Sequence, residues 1–232
     1  MKTIVYLAHP QIDASQSQQF LIQAGTSASQ VTYVDLQQQF QQDGGFDLQV
    51  ERQRLLEYQR IIFQFHLYWY QAPAILKIWL DQVFDLQGDY RAFKQALQAK
   101  ELGLVVIAGV KASHYQFGGR EDICLSALLS PYRALAGHFH MTYLPPLTIH
   151  QFAYLSTEEQ YALFWDYILY LQTGKIDDFS AKSQLIIQRL EQLQENQLDL
   201  PALEQAVFES FVDECGQQDE ALADYHRLME GW

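Results

Sequence analysis

Cysteine is scarce in this 232-residue chain: Cys124 and Cys215 are the two present, with neither metal-ligand spacing nor a C-x-x-C pair. They read as buried or idle thiols of a reducing compartment. Basic residues are short as well, 15 Lys and Arg against 28 Asp and Glu, for a net charge of −13. Such a chain repels nucleic-acid phosphates, which excludes that class of partner. No apolar run approaches the length of a membrane span, and nothing before residue 20 reads as a secretory leader. The expectation is a cytoplasmic protein without membrane insertion. No Walker loop, no serine nucleophile elbow and no G-x-G-x-x-G fingerprint occurs. The last absence argues against a Rossmann dehydrogenase. No metal site is expected. His138 and His140 sit two apart around a predicted fifth strand and so share a side, but no further ligand joins them, and His150 is not tied to them.

What is present is a regular alternation. Short β-branched or apolar runs fall at 3–7, 31–36, 61–65, 102–108 and, more weakly, 139–144. Segments with helical spacing lie between and after them, at 17–28, 49–58, 74–84, 122–136 and 157–171. Strands alternating with helices imply parallel βαβ units, and continuous apolar runs imply a sheet covered on both faces. The predicted fold class is α/β, a doubly wound five-stranded parallel sheet in the order 2-1-3-4-5. A ligand of such a sheet sits at the carboxyl ends of strands 1 and 3, where the connections reverse direction.

The segment from Phe65 to Phe84 is the most specific in the chain. An apolar strand ends in Phe65-His66-Leu67-Tyr68-Trp69-Tyr70-Gln71-Ala72, and a helix follows with Pro73 in its first turn. Aromatic backbone left exposed at a strand end is suited to holding a flat ring against main-chain amides. The segment resembles the flavin-contacting segment of the flavodoxin-like NAD(P)H:quinone oxidoreductases. There a strand ends in Pro-Leu/Met-Gln-Trp-Tyr/Phe, followed by x-x-Pro-x-x-Leu-Lys-x-Trp-x-Asp-x-Val-Phe. The resemblance covers about residues 1–173. It implies that Leu67, Tyr68, Trp69 and Tyr70 lie along the isoalloxazine, with amides directed at its heteroatoms. His66 stands where the family has Pro, and Tyr68 where it has Gln. Phe65, by contrast, reads as core.

Two further loops fit this picture. Strand 1 runs into Ala8-His9-Pro10 and a polar loop that opens a helix, where free amides and the helix dipole favour an anion. Ser15 or Ser17 is placed to cap that helix. The family resembled has Ala-His-Pro…Ser-x-x-Asn here, which implies a flavin phosphate bound by His9, Ser15 and Ser17, with Gln18 in place of Asn. After strand 4 comes Ala108-Gly109-Val110-Lys111-Ala112-Ser113-His114-Tyr115, where the family has a glycine-rich run followed by Ser-x-Tyr/Phe. Ala108, Gly109, Val110 and Lys111 are the implied contacts to the pyrimidine edge. Glycines allow close approach of backbone to ligand, and Val110 and Lys111 depart from that pattern. Lys111 would set a positive charge near the ring. Tyr115 and His114 are the implied pocket-lining donors, and a Tyr–His relay known among relatives does not carry over, since its histidine falls near Arg120-Glu121.

The resemblance implies an FMN enzyme, with FAD also open, that takes NAD(P)H as a transient co-substrate. It would pass two electrons to a quinone-like acceptor by a ping-pong cycle, as a homodimer. The alternative from another class is a regulatory ancillary subunit, for instance of a potassium efflux system, with little or no turnover. Azo- or nitro-reduction would share the chemistry and differ in acceptor. Gly174 reads as the end of the fifth helix, so residues 1–174 are predicted as the flavin-binding domain and 175–232 as an acidic helical extension. Residues 176–232 carry 13 acids against Lys182, Arg189 and Arg227, a net of −10, leaving −3 for the remainder. Leu185, Ile186, Leu190 and Leu193 form one apolar stripe of this extension. A second, after Pro201, comprises Leu203, Val207, Phe208, Phe211 and Val212.

Overall fold

The computed structural model describes residues 1–85 and 90–195, with 205, 210, 212, 213 and 216. It divides into two compact units, Met1–Ile176 and Asp177–Trp232. The strands of the first unit are β1 (Thr3–Ala8), β2 (Val31–Asp35), β3 (Arg60–His66), β4 (Glu101–Ala108), β5 (Thr142–Tyr143) and β6 (Leu147–His150). Its helices are α1 (Gln16–Gly25), α2 (Leu36–Asp43), α3 (Leu48–Glu57), α4 (Ala74–Phe84), α5 (Tyr90–Leu97), α6 (Leu125–Leu128), α7 (Ser130–His138) and α8 (Thr157–Thr173). All strand pairs are parallel, in the order β2-β1-β3-β4-β5, with β6 also on β4.

Parallel strands covered on both faces need apolar side chains at every position, and every residue of β1 is buried. Alternate residues then serve opposite layers. Ile4, Tyr6, Ile61, Phe63, Phe65, Leu104 and Val106 join Trp79 of α4, Phe93 of α5 and Tyr132 of α7 in one core cluster. The rings of Tyr6 and Trp79 lie 4.4 Å apart, and those of Phe63 and Trp79 meet edge to face at 5.7 Å. The indole N–H of Trp79 donates to Glu51 Oε2 at 2.9 Å, which satisfies a buried carboxylate. Beneath the opposite face, α1 packs against α8. A buried polar chain runs there: the Gln64 amide donates to Gln18 Oε1 (2.6 Å), Tyr167 Oη donates to Gln64 Oε1 (2.7 Å), and Tyr33 Oη lies 3.0 Å from Tyr167 Oη.

The fifth strand position differs from the expected single run at 139–144. Helix α7 continues to His138, Phe139 caps it, and His140 turns the chain at φ 55°. The two histidines therefore do not share a strand face. The His138 ring instead bonds the hydroxyl of Tyr90. The strand proper is split: Thr142 and Tyr143 pair with Glu101 and Leu102, and Leu147–His150 pair with Val105–Ala108. Pro145 and Pro146 cause the interruption, because proline has no N–H for the ladder. Leu104 of β4 faces that gap, and its amide donates to Tyr170 Oη of α8 at 3.0 Å instead.

The hydroxyl reaches Leu104 because residue 103 is glycine: a Cβ there would lie 2.5 Å from Tyr170 Oη. Gly103→Ala should therefore destabilise the protein by about 2–3 kcal/mol, through overpacking and loss of that buried hydrogen bond. Urea unfolding checks this, and a cost below about 1 kcal/mol would show that Tyr170 yields without strain.

Helix ends follow their capping residues. Ser156 and Glu159 form a capping box at the start of α8, and Gly174 ends it at φ 73°. Helices α2 and α5 were not expected. Asp35, placed at the end of the strand run, is the N-cap of α2, its carboxylate accepting from the amides of Gln37 and Gln38. In the second unit, α9 (Phe179–Glu195) carries Leu185, Ile186, Leu190 and Leu193. Cys215, Leu203, Val207, Phe208 and Phe211 lie outside the described residues.

Candidate functional site

The C-terminal ends of β3, β4 and β6, with the β1–α1 loop, bound a cleft of about 450 Å³ beside the point where the strand order reverses. Ser17 of α1, His66 of β3, Ala108 at the end of β4 with Gly109 after it, and residues 151–154 after β6 line it.

Its α1 side is an anion-type site. Ser15 is the N-cap, its hydroxyl accepting from the amide of Gln18 at 3.4 Å and lying 3.3 Å from Ser17 Oγ. Among the described residues, the amides of Gln16 and Ser17 have no backbone acceptor. His9 is buried behind this turn. Its Nδ1 accepts the amide proton of Gln11 at 3.1 Å, so the neutral ring carries its own proton on Nε2 and donates it to Tyr68 Oη, 3.1 Å away. His66 Nε2 lies 3.0 Å from Ser17 Oγ, and its ring is 4.8 Å from that of His9. Burial, aided by neighbouring His9, pushes the His66 imidazole down to about 4, and burial also lowers His9. Two adjacent imidazoles are thus neutral at neutral pH.

The aromatic segment is a tight turn. Tyr68 and Gln71 exchange backbone hydrogen bonds of 2.9 and 3.0 Å, and between them Trp69 and Tyr70 take left-handed conformations with φ of 44° and 67°. Bulky residues rarely adopt this region, and each costs on the order of 1–3 kcal/mol. Trp69 is 91% exposed and so is not core filling, whereas Phe65 is fully buried. Among the described residues, the amides of Trp69 and Tyr70 have no backbone acceptor.

The loop after β4 closes the other side. A Cβ at Gly109 would meet nothing within 4 Å, so the glycine faces open space. His150 Nδ1–H donates to Val110 O at 3.0 Å, which pins the loop to the end of β6. Residues Ala112–His114 form a 3₁₀ turn that begins after Lys111. Tyr70 Oη donates to Glu121 Oε2 at 2.8 Å, linking the two loops, and this bond raises the Tyr70 hydroxyl above its usual range. The Tyr115 ring stands 6.4 Å from that of His150, and burial and then Glu121 raise its hydroxyl too.

Of the residues predicted from sequence, Ser17, Ala108 and Gly109 line the cleft. Ser15, His9 and Tyr68 adjoin it through the hydrogen bonds above, and Leu67, Trp69 and Tyr70 belong to the same turn. Val110, Lys111, His114 and Tyr115 occupy the β4 loop outside the lining. Gln18 is directed elsewhere: its side chain is fully buried and engaged with Gln64. Sequence reasoning missed the contribution of Gln151, Phe152, Ala153 and Tyr154. Gln151 enters at φ 50°, and no local sequence signal announces that conformation.

Residues 1–164 match a family described as having a flavodoxin-like fold. The chain belongs to that family. Among its relatives, the uncharacterized NAD(P)H oxidoreductase YrkL of Bacillus subtilis is 34% identical over 159 residues, 68% of this chain and 91% of that one. The glutathione-regulated potassium-efflux system ancillary protein KefG of Yersinia pestis is 31% identical, over 64% of this chain and 81% of its own. Among solved structures, an NADPH-quinone reductase from P. pentosaceus superposes with a TM-score of 0.66 at 36% identity, covering 75% of this chain and 99% of that one. General stress protein 14 of Treponema denticola, solved in complex with FMN, gives 0.67 at 26% identity, covering 75% and 100%.

Proposed function

We propose that this flavodoxin-like protein is an NAD(P)H:quinone oxidoreductase working with FMN. The observation that carries the reading is one cleft lined by an open helix N-terminus and a glycine facing empty space, with a strained aromatic turn whose Tyr68 hydroxyl bonds His9 beside it. The residues fit the cofactor. An FMN phosphate suits the amides of Gln16 and Ser17 and the hydroxyls of Ser15 and Ser17. A flat polar ring suits the amides of Trp69 and Tyr70, and the backbone at Gly109, Val110 and Lys111 can approach its edge. Bound there, FMN would accept a hydride from NAD(P)H and return two electrons to a quinone-like acceptor.

The chain's own part is to bind, orient and polarise. The strained turn holds its amides fixed before the ligand arrives, so no reorganisation is needed at the moment of reaction. Tyr70, tied to Glu121, keeps that turn against the β4 loop. Tyr115 and His114 flank the loop as hydrogen-bonding side chains toward an acceptor. FAD, NADH against NADPH, and the identity of the acceptor are secondary choices within this reading. It includes a homodimer in the cytoplasm, and the dimer is checked by light scattering on the eluting protein.

The test is an absorbance spectrum of the purified protein before and after anaerobic NADPH. Bands near roughly 370 and 450 nm that bleach on NADPH are expected of a hydride-accepting flavin. A colourless protein that also fails to take up added FMN or FAD sinks the reading. The similarity to KefG favours one second reading, an ancillary subunit on the same fold. Turnover of menadione with NADPH separates the two, since an ancillary role predicts flavin without turnover.

A further inference from the structure

We propose that His66, beside His9, makes binding of the cofactor phosphate proton-linked, so that FMN is held at the α1 N-terminus together with one proton taken up by the His66 imidazole. The inference rests on the FMN reading and concerns a residue that departs from the resembled pattern, in which this position is proline.

The geometry places both rings at the anion site. His66 lines the cleft, and its Nε2 is 3.0 Å from Ser17 Oγ at the mouth of the helix. The His9 ring is 4.8 Å away, held by Gln11 and Tyr68. Around the pair, the titratable or charged groups are few. Tyr68 comes from the turn after β3, Tyr154 from the loop after β6, and Asp35 at the end of β2 acts on His9. The lining residues from α1 and from the end of β4, Gln16, Ser17, Ala108 and Gly109, carry no charge.

No carboxylate hydrogen-bonds either ring among the described residues, and His66 Nδ1 is buried without any partner. An imidazolium at His66 therefore has no carboxylate partner among the described residues, and charges on both rings would repel each other. Burial, and then the neighbouring His9, push His66 down to about 4. A phosphate dianion at the neighbouring amides supplies the missing opposite charge, which favours the protonated ring. The imidazole that gains the proton then donates to the anion side through the Ser17 and Nε2 contact, adding a cation where a proline could add nothing.

The sign follows from linkage. A site that gains a proton on binding loses affinity as pH rises from the pKa of the free site to that of the complex, and levels off above it. Free FMN is mostly dianionic at pH 7, its second phosphate ionisation being near 6, so the ligand itself releases little there.

The experiment is calorimetric titration of the apoprotein with FMN at pH 7 in buffers of differing ionisation enthalpy, with riboflavin as the phosphate-free control. A net uptake on the order of one proton per FMN is expected, with none for riboflavin, and the FMN Kd should rise by up to about tenfold per pH unit toward pH 9. In His66→Gln, which can keep the hydrogen bond to Ser17 but cannot titrate, uptake should vanish and Kd should flatten with pH. Far-ultraviolet circular dichroism verifies the fold of that variant. FMN binding in the wild type without proton uptake overturns the inference and leaves the flavin reading standing, as does uptake that persists in folded His66→Gln. Failure of the wild type to bind FMN at any pH overturns both.

Discussion

Arg60→Leu should lower stability by about 2–4 kcal/mol, and with it the melting temperature by roughly 5–15 °C. Arg60 opens β3 and is 1% exposed, an unusual place for a guanidinium. Its Nε donates to Glu101 Oε2 at 2.6 Å, and its Nη1 donates to the carbonyls of Leu171 (2.7 Å) and Tyr170 (3.3 Å). These carbonyls belong to the last turn of α8, where unsatisfied acceptors and the negative end of the dipole favour a cation. Leucine removes the charge and the donors together. Thr3 Oγ1 still donates to Leu171 O, and the Glu101 side chain is 23% exposed, so water recovers part of the loss. The cost therefore lies below that of a fully sealed ion pair. Glu101→Gln should cost less than about 1 kcal/mol, because Arg60 keeps its bonds to the helix. Chemical denaturation of both variants decides, and equal losses would mean that the ion pair, not the helix end, is what Arg60 supports.

The second large effect is on binding alone. Gly109→Leu should weaken FMN by roughly 100-fold, about 2.7 kcal/mol, with the melting temperature unchanged. Gly109 has no positive φ and a Cβ there meets nothing within 4 Å, so the fold accepts a side chain at no cost. The leucine would project into the space that the cleft keeps open beside Ala108. Quenching of FMN fluorescence on titration measures the affinity, and circular dichroism measures the melt. An unchanged affinity would place the ligand away from this loop and undo the assignment of the cleft.

How far the sequence carried depends on whether a signal was local. Thr3–Leu7, Ile61–Phe65 and Leu102–Ala108 are continuous apolar runs, and they are the three inner strands. The order of the sheet followed from their alternation with helices. Helix α2 was missed because Leu36 is its one buried residue among glutamines, although Asp35 and Gly44 mark its two ends. The split strand was misplaced because Pro145 and Pro146 obscure the alternation of Leu147, Thr148, Ile149 and His150. Gln18 was read by its match to a motif, whereas its spacing to Leu21 and Gly25 sets it on the inner face of α1. The aromatic turn was legible by composition, but the left-handed backbone of Trp69 and Tyr70 was not, since neither is a residue that seeks it. The 151–154 loop reaches the cleft by tertiary placement, which no window of sequence contains.

The broken fifth strand also bears on self-association. It forms one rim of the sheet, and a long flat rim invites another chain to add a strand and begin an aggregate. Here the rim is two residues, then Leu144 and two prolines that offer no amide hydrogen, then four residues. A foreign strand finds no continuous ladder to extend. The same interruption that hands Leu104 to Tyr170 thus works against strand addition at this rim.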